Sequence, residues 1–390
     1  MRRATVWVIA VGALSFPAWP QSPEVLAEVE AVIGPWRVAA PADNGFADLV
    51  AAIQRVTEGD SVDLLNGPDA GPAAEELIAT NAEALAAVRA AMGRECRVPP
   101  VTSFTTPLPY LANARVTARV LCVEGRCREV DGDPSGALGS YLDAVQLGGA
   151  ISRGGTLIHG LVDAAVIRIA SAEVRRLCES GPAFPDATLA DAIDRLTRLE
   201  RAGPSPQQFL ATELEASVAG LREIAENPQL LEQIATDAGM SRSRGTIELD
   251  AEARALIEYY GRLIELLDLP YRDSLGVAQP PEAAETPLAA MVAPSADRAS
   301  ERLRGGAAVL RGVRVLLAIV RFRQAREAYP DTLSQLVPDY LPAAVVDPYT
   351  LEPFVYAGTP NGRALYSPGP DGVDDGADEE RDVVIAALPE

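Results

Sequence analysis

The sequence predicts a mainly α protein: a multi-helix bundle or irregular helical array, followed by a small α+β module made of a long helix, a β-hairpin and an acidic loop. Three observations predict it. Apolar residues recur at helical spacing from about 107 to 268, interrupted only by short glycine and proline joints. After Ala328, prolines, aromatics and short β-prone runs replace that pattern. Hydrophobic residues make up 48% and charged residues 23% of 390 positions, the balance of a globular chain long enough for two domains.

The elements follow in order. Residues 1–22 begin with Arg2 and Arg3, continue with an apolar run from Ala4 to Leu14, and break at Pro17 and Pro20. The run is too short to span a bilayer comfortably, so it reads as an export signal peptide or a short membrane anchor; a buried N-terminal helix is the remaining reading. A helical domain is expected over 23–269. Its first helix starts at Ser22 and Pro23, shows Val25, Leu26, Val29, Val32 and Ile33 at helical spacing, and stops at Gly34-Pro35. The breaker-rich stretch 66–72 precedes a helix from about Ala73 to Met92. Leu138, Tyr141, Leu142 and Val145 form one apolar stripe; Ile158, Leu161, Val162, Ala165 and Ile169 form another. The run 137–144 faintly resembles the first helix of a tetratricopeptide repeat, but the 34-residue period of that repeat does not recur.

Residues 270–296 hold Pro270, Pro280, Pro281, Pro287 and Pro294 and read as a linker. A long helix is expected from about Asp297 to Ala328, with Val309, Val313, Leu317 and Val320 along one face. Phe354-Val355-Tyr356 and Ala364-Leu365-Tyr366 flank the turn-rich 358–362 and predict a hairpin.

The formal net charge is −21, a field that repels nucleic acid and anionic lipid and favours divalent cations. All 34 basic residues are arginine, so neither a Schiff-base lysine nor a phosphate-loop lysine is available. Export would place the four cysteines in an oxidising compartment. Cys122 and Cys127 enclose Val-Glu-Gly-Arg, a spacing unsuited to a zinc site. A Cys122–Cys127 disulfide with a Cys96–Cys178 complement is expected; four reduced, buried thiols are the alternative.

The C-terminal segment carries the most specific motif. Tyr329-Pro330 follows the long helix, then Leu333, Leu336, Val337 and Tyr340-Leu341-Pro342. Asp347-Pro348-Tyr349 precedes the hairpin, which closes at Tyr366-Ser367. Ser367-Pro368-Gly369-Pro370-Asp371-Gly372 opens an acidic loop that ends at Asp382-Val383. In this order and spacing, 329–383 resembles the C-terminal part of the major pseudopilin of type II secretion, whose calcium loop runs Ser-x-Gly-x-Asp-Gly to Asp-Ile. The resemblance implies one Ca²⁺ held by Asp371 and Asp382, with Asp374 and Asp378 as second-rank ligands and backbone carbonyls near Tyr366 and in 373–378. The residue chemistry points the same way: Asp371, Asp374, Asp375, Asp378, Glu379, Glu380 and Asp382 crowd one loop with only Arg381 opposing them, and calcium takes six to eight hard oxygens from a flexible loop. A solvated acidic tail is the plainer alternative. The chain departs from the family at its start, where no prepilin peptidase site occurs, and in placing the long helix behind a large helical region.

Two functions from different classes follow. The first is a non-enzymatic exported envelope protein, in the periplasm or cell envelope: a helical scaffold with a calcium-stapled end whose partners are envelope or secretion-machinery proteins. The second is a periplasmic hydrolase with its site in the helical domain, around His159, the only histidine. Zinc-protease, serine-elbow and phosphate-loop motifs are absent from the sequence. Glu213 and Glu215 stand two apart on a helix and do not face each other. The export expectation is directly testable: a reporter fused after residue 40 should be active only outside the cytoplasm, and cytoplasmic activity refutes it.

Overall fold

The computed structural model describes residues 23–67, 71–100, 107–227, 229–230, 248–278, 280–282, 285–359 and 362–388. The expected leader, 1–22, lies outside them. The helices are α1 (Pro23–Ile33), α2 (Phe46–Ile53), α3 (Ser61–Asn66), α4 (Pro72–Met92), α5 (Tyr110–Val130), α6 (Pro134–Ser152), α7 (Leu157–Glu179), α8 (Asp186–Ala202), α9 (Pro206–Glu226), α10 (Leu249–Leu266), α11 (Tyr271–Ser274) and α12 (Pro287–Arg326). Strands β1 (Val355–Thr359), β2 (Gly362–Ser367) and β3 (Val383–Leu388) form an antiparallel sheet in that order. The fold is therefore mostly helical with a small C-terminal sheet, as the pattern of apolar spacing predicts.

Local chemistry sets several helix starts. Asp133 accepts the N–H of Gly136 ahead of Pro134, and Ser205 and Gln208 form a reciprocal capping box ahead of Pro206. The helices enclose two apolar cores. One gathers α2, α4–α8, the C-terminal half of α12 and the sheet, with Leu49, Leu121, Tyr141, Leu316 and Leu365 at its centre. The other gathers α1, α9, α10 and the N-terminal half of α12, with Val25, Leu214, Tyr260 and Leu303. Helix α12 is the wall common to both. Its approach to α7 is very close, since a Cβ on Gly306 would sit 2.7 Å from that of Ala164.

Three expectations are corrected. The α6 stripe is buried as expected, but the α7 stripe is not: Ile158 is 45% exposed, while Val166, Ile167, Ala170 and Val174 are buried. Helix α7 touches α5, α6, α9, α12 and β3, so it buries more than one face and a single stripe cannot describe it. The long helix begins at Pro287, ten residues before the expected start, and runs through Pro294. The reason is tertiary: Glu252, 1% exposed on α10, accepts the N–H groups of Leu288 (3.3 Å) and Ala289 (2.8 Å) and caps α12 from another helix.

The third correction concerns the cysteines, all four of which are free thiols. Cys122 and Cys127 both lie on α5, where five residues rise about 7.5 Å along the axis and turn the side chains apart, beyond the reach of a disulfide. Cys96 is seated after α4, its Sγ near the carbonyls of Ala91 and Arg94, and Cys178 lies in the last turn of α7. Burial raises the Cys122 thiol and pushes Cys178 up to about 12, so both stay protonated and unreactive.

The hairpin β1–β2 pairs Val355 with Tyr366 and Thr359 with Gly362. Strand β3 adds on the far side of β2, with a register shift between Leu365 and Tyr366, and was not an expectation: its short apolar run is hidden behind the acidic stretch. The stretch expected as a linker docks instead. Tyr271 donates its N–H to the carbonyl of Tyr349 (2.7 Å), and the two rings meet edge to face. Arg304, 3% exposed on α12, fastens the same place. It donates to the carbonyls of Leu266 (3.2 Å) and Leu267 (3.0 Å) at the end of α10, and to that of Pro348 (2.8 Å) in the Asp347-Pro348-Tyr349 turn. Truncating it takes the donor from the carbonyls of Leu267 and Pro348, while that of Leu266 keeps the N–H of Leu269 (3.2 Å). Arg304→Met should therefore cost about 2–4 kcal/mol in denaturant unfolding, whereas a change within about 0.5 kcal/mol would show the contact to be dispensable.

Candidate functional site

The acidic loop 368–382 joins β2 to β3 and is anchored by buried polar groups at both ends. Ser367, fully buried, donates its hydroxyl to the carboxylate of Asp347 (2.8 Å) and accepts the N–H of Gly369 (3.0 Å). Asp347, also fully buried, accepts from the N–H of Tyr349 and the hydroxyl of Thr350 as well. At the other end the buried Asp382 carboxylate accepts the N–H groups of Asp375 (3.4 Å) and Asp378 (3.1 Å). Gly369, Gly372 and Gly376 adopt positive φ, which lets the chain reverse within so few residues.

The four expected ligands have distinct positions. Asp371 accepts the N–H of Val373, Asp374 accepts the Tyr366 hydroxyl (2.8 Å) and the N–H of Gly376, and Asp378 accepts the N–H of Glu380. Each of these three is exposed and uses one carboxylate oxygen, Oδ1, in those bonds. Asp382 is the interior hub of the loop. The four do not converge: among the described residues, no three His, Cys, Asp or Glu side chains surround a common point as metal ligands would. The oxygen-rich loop still suits a hard cation chemically, since the second oxygens of Asp371, Asp374 and Asp378 take no part in those bonds. Of its own cations, Arg381 pairs with Asp375 at 3.0 Å.

His159 is fully buried at the start of α7. Its Nδ1 accepts the N–H of Thr156 (3.1 Å), so the ring proton resides on Nε2, which lies 2.6 Å from the Tyr110 hydroxyl. Glu213 accepts the N–H of Leu157 (2.9 Å), and Glu215 instead pairs with Arg37 (3.0 Å). His159, Thr156 and Glu213 together satisfy the open N–H groups of α7. This is capping chemistry, in which the histidine acts as acceptor in the place usually held by glutamate or glutamine.

A second feature was not legible in the sequence. A cleft of about 450 Å³ lies between the 94–98 segment, the end of α6 and α9, lined by Trp36, Glu95, Arg97, Arg153, Arg201 and Gln208. The Asn44 side chain accepts the N–H of Arg97 (2.9 Å) and donates to its carbonyl (2.8 Å), while Val98 donates to the carbonyl of Arg153 (2.9 Å). The Arg97 side chain lies across Gly154, which has φ +79 and leaves room for it. Next to this cleft, sharing Arg153, Arg201 and Gly203, is a cavity of about 350 Å³ with mainly apolar walls and two carboxyls, Glu200 and Asp163. Asp163 Oδ1 is shielded from solvent without a partner, and burial pushes the group up to about 7. These residues come from five separate segments, and no local spacing announces them.

Comparison with protein families, with curated proteins and with solved structures finds no match to this chain.

The buried histidine makes a pH-dependent prediction. Burial pushes His159 down to about 4 from 6.5. Between those values the unfolded chain binds a proton that the folded one refuses, so this group's contribution is fully present above pH 6.5 and is lost as pH falls toward 4. The stability of the parent relative to His159→Gln should be constant above pH 7 and fall steadily from pH 6.5 to 4. A flat difference across that range would refute the buried neutral cap.

Proposed function

We propose that this chain is a non-enzymatic, exported envelope protein, a helical interaction scaffold whose C-terminal loop takes up one Ca²⁺. The observation that carries the reading is a tight loop, fixed at both ends by the buried Ser367–Asp347 pair and by Asp382, that concentrates seven carboxylates against a single arginine. In a chain of net charge −21, such a loop is compact only against mutual repulsion, and a divalent ion relieves it. Asp371, Asp374 and Asp378 would turn their second oxygens to the ion, with loop carbonyls completing the shell around the Asp382 hub. The resemblance of 329–383 to the major pseudopilin supports the same assignment and a partner in the envelope or the secretion machinery. The hydrolase reading draws no support from His159, which is sealed inside a helix cap. Among the described residues no helix is long and apolar enough to cross a membrane.

Binding to the folded state alone stabilises it by about 2.7 kcal/mol at a hundredfold excess over Kd. Calcium should therefore raise the melting temperature of the full chain, and chelator should reverse the rise. Asp371→Ala and Asp382→Ala should abolish the difference, while Glu379→Ala should keep it. If calorimetry detects no calcium binding to the folded chain at millimolar concentration, the loop is an acidic tail and the reading fails.

A further inference from the structure

We propose that the arginine-lined cleft and the apolar cavity beside it form one binding site for a small organic anion, a carboxylate or phosphate attached to an apolar body. The inference is independent of the calcium loop.

The first support is charge. Several buried or half-buried arginines elsewhere in this chain are matched tightly to carboxylates: Arg126 to Glu173 at 2.8 Å, Arg195 to Asp143 at 2.6 Å, and Arg311 and Arg314 to Glu200 at 2.7 and 2.6 Å; the buried Arg304 is satisfied by backbone carbonyls instead. Among the described residues Arg97 and Arg153 lack a tight carboxylate partner. They are neighbours that repel each other. The nearest carboxylate to Arg153 is that of the half-exposed Glu95, at 3.9 Å, and the Arg153 Nε is buried without a partner. Among the described residues Arg97 has no carboxylate at ion-pair distance, and Arg201 stands at the rim in the same state. In a protein with so large an excess of acid, three cations without tight partners on one cleft make a preformed anion site. Guanidinium groups suit it, because a carboxylate or phosphate can accept paired N–H bonds from each.

The second support is rigidity. Asn44 grips both backbone groups of Arg97, Val98 is tied to Arg153, and Gly154 gives the Arg97 side chain its bed. The backbones of Arg97 and Arg153 and the Arg97 side chain are therefore held in place before a ligand arrives, which lowers the ordering cost of binding.

The third support is the cavity behind Arg153. Met92, Val145, Ile167, Phe209 and Leu310 give it apolar walls, and its volume of about 350 Å³ falls in the range of small-molecule sites. Its lining holds two carboxyls, Glu200, which Arg311 and Arg314 neutralise, and Asp163. Burial pushes Asp163 up to about 7, which weakens its repulsion of an anion, and its protonated form offers one hydrogen bond to a polar group on the ligand body.

The test is calorimetric titration of the full chain with octanoate, octyl phosphate, inorganic phosphate and octylamine. Octanoate or octyl phosphate should bind at one site per chain, more tightly than phosphate, and octylamine should give no saturable heat. Arg97→Gln and Arg153→Gln should each weaken binding about tenfold or more with an unchanged melting temperature. Gly149→Leu gives a separate check, because a side chain there meets nothing within 4 Å yet projects from the cavity lining. It should abolish octyl binding and spare phosphate. Octylamine binding as tightly as octanoate, phosphate binding as tightly as octyl phosphate, or no binding of either octyl anion at millimolar concentration would each overturn the proposal.

Discussion

The fold turns on a buried arginine with no tight carboxylate partner. Arg304 sits in the middle of α12 and gives its hydrogens to three backbone carbonyls from two distant parts of the chain. Two of those carbonyls close α10, where the last turn of a helix always leaves acceptors open. The third belongs to the Pro348 step that leads into the sheet. Gly305, the next residue, has no side chain to block the Tyr349 hydroxyl, which reaches over it to the carbonyl of Glu301 (3.2 Å). The helical body and the C-terminal module are thereby one structure. Residues that composition marks as a linker serve as the seam.

The same seam governs the acidic loop. Asp347 lies one residue before the carbonyl that Arg304 holds, and its carboxylate fixes Ser367, the first anchor of the loop. A mechanical path thus runs from α12 through the Asp-Pro-Tyr turn to the loop without leaving buried groups. An ion bound at the loop would be sensed by α12, and α12 borders both cores. In the proposed scaffold, calcium would stiffen the body as well as its end.

What the sequence disclosed and withheld follows from range. The α6 stripe and the hairpin are local patterns, and the structure has them where spacing places them. The start of α12 was misjudged because its cap, Glu252, lies 36 residues away along the chain. A proline-rich run reads as a breaker only until a partner for its open N–H groups is known. Cys122 and Cys127 looked joinable as a short loop and are not, since an intact helix holds them on diverging faces. Asn44, Arg97, Arg153, Asp163 and Arg201 could not be grouped from spacing at all, because packing of separate helices brings them together.

Charge connects the two candidate sites. With no lysine, every cation carries a planar, multivalent head, and the interior uses these heads to staple helices: Arg89 joins α4 to Glu124 and Asp143, and Arg195 adds α8 to the same carboxylates through Asp143. Once those pairs form, what remains unmatched is not spread evenly. Surplus carboxylates collect in the loop between β2 and β3, and three arginines without tight partners stand on the cleft beside α6. A net charge of −21 would favour sending acid to any free arginine, yet the one carboxylate on the cleft, Glu95, reaches only Arg153, at 3.9 Å. Unlike charges kept apart within one rigid body persist only where folding geometry outweighs their attraction. By that reasoning the sites are complementary in sign and separate in ligand: a cation for the loop and an anion for the cleft.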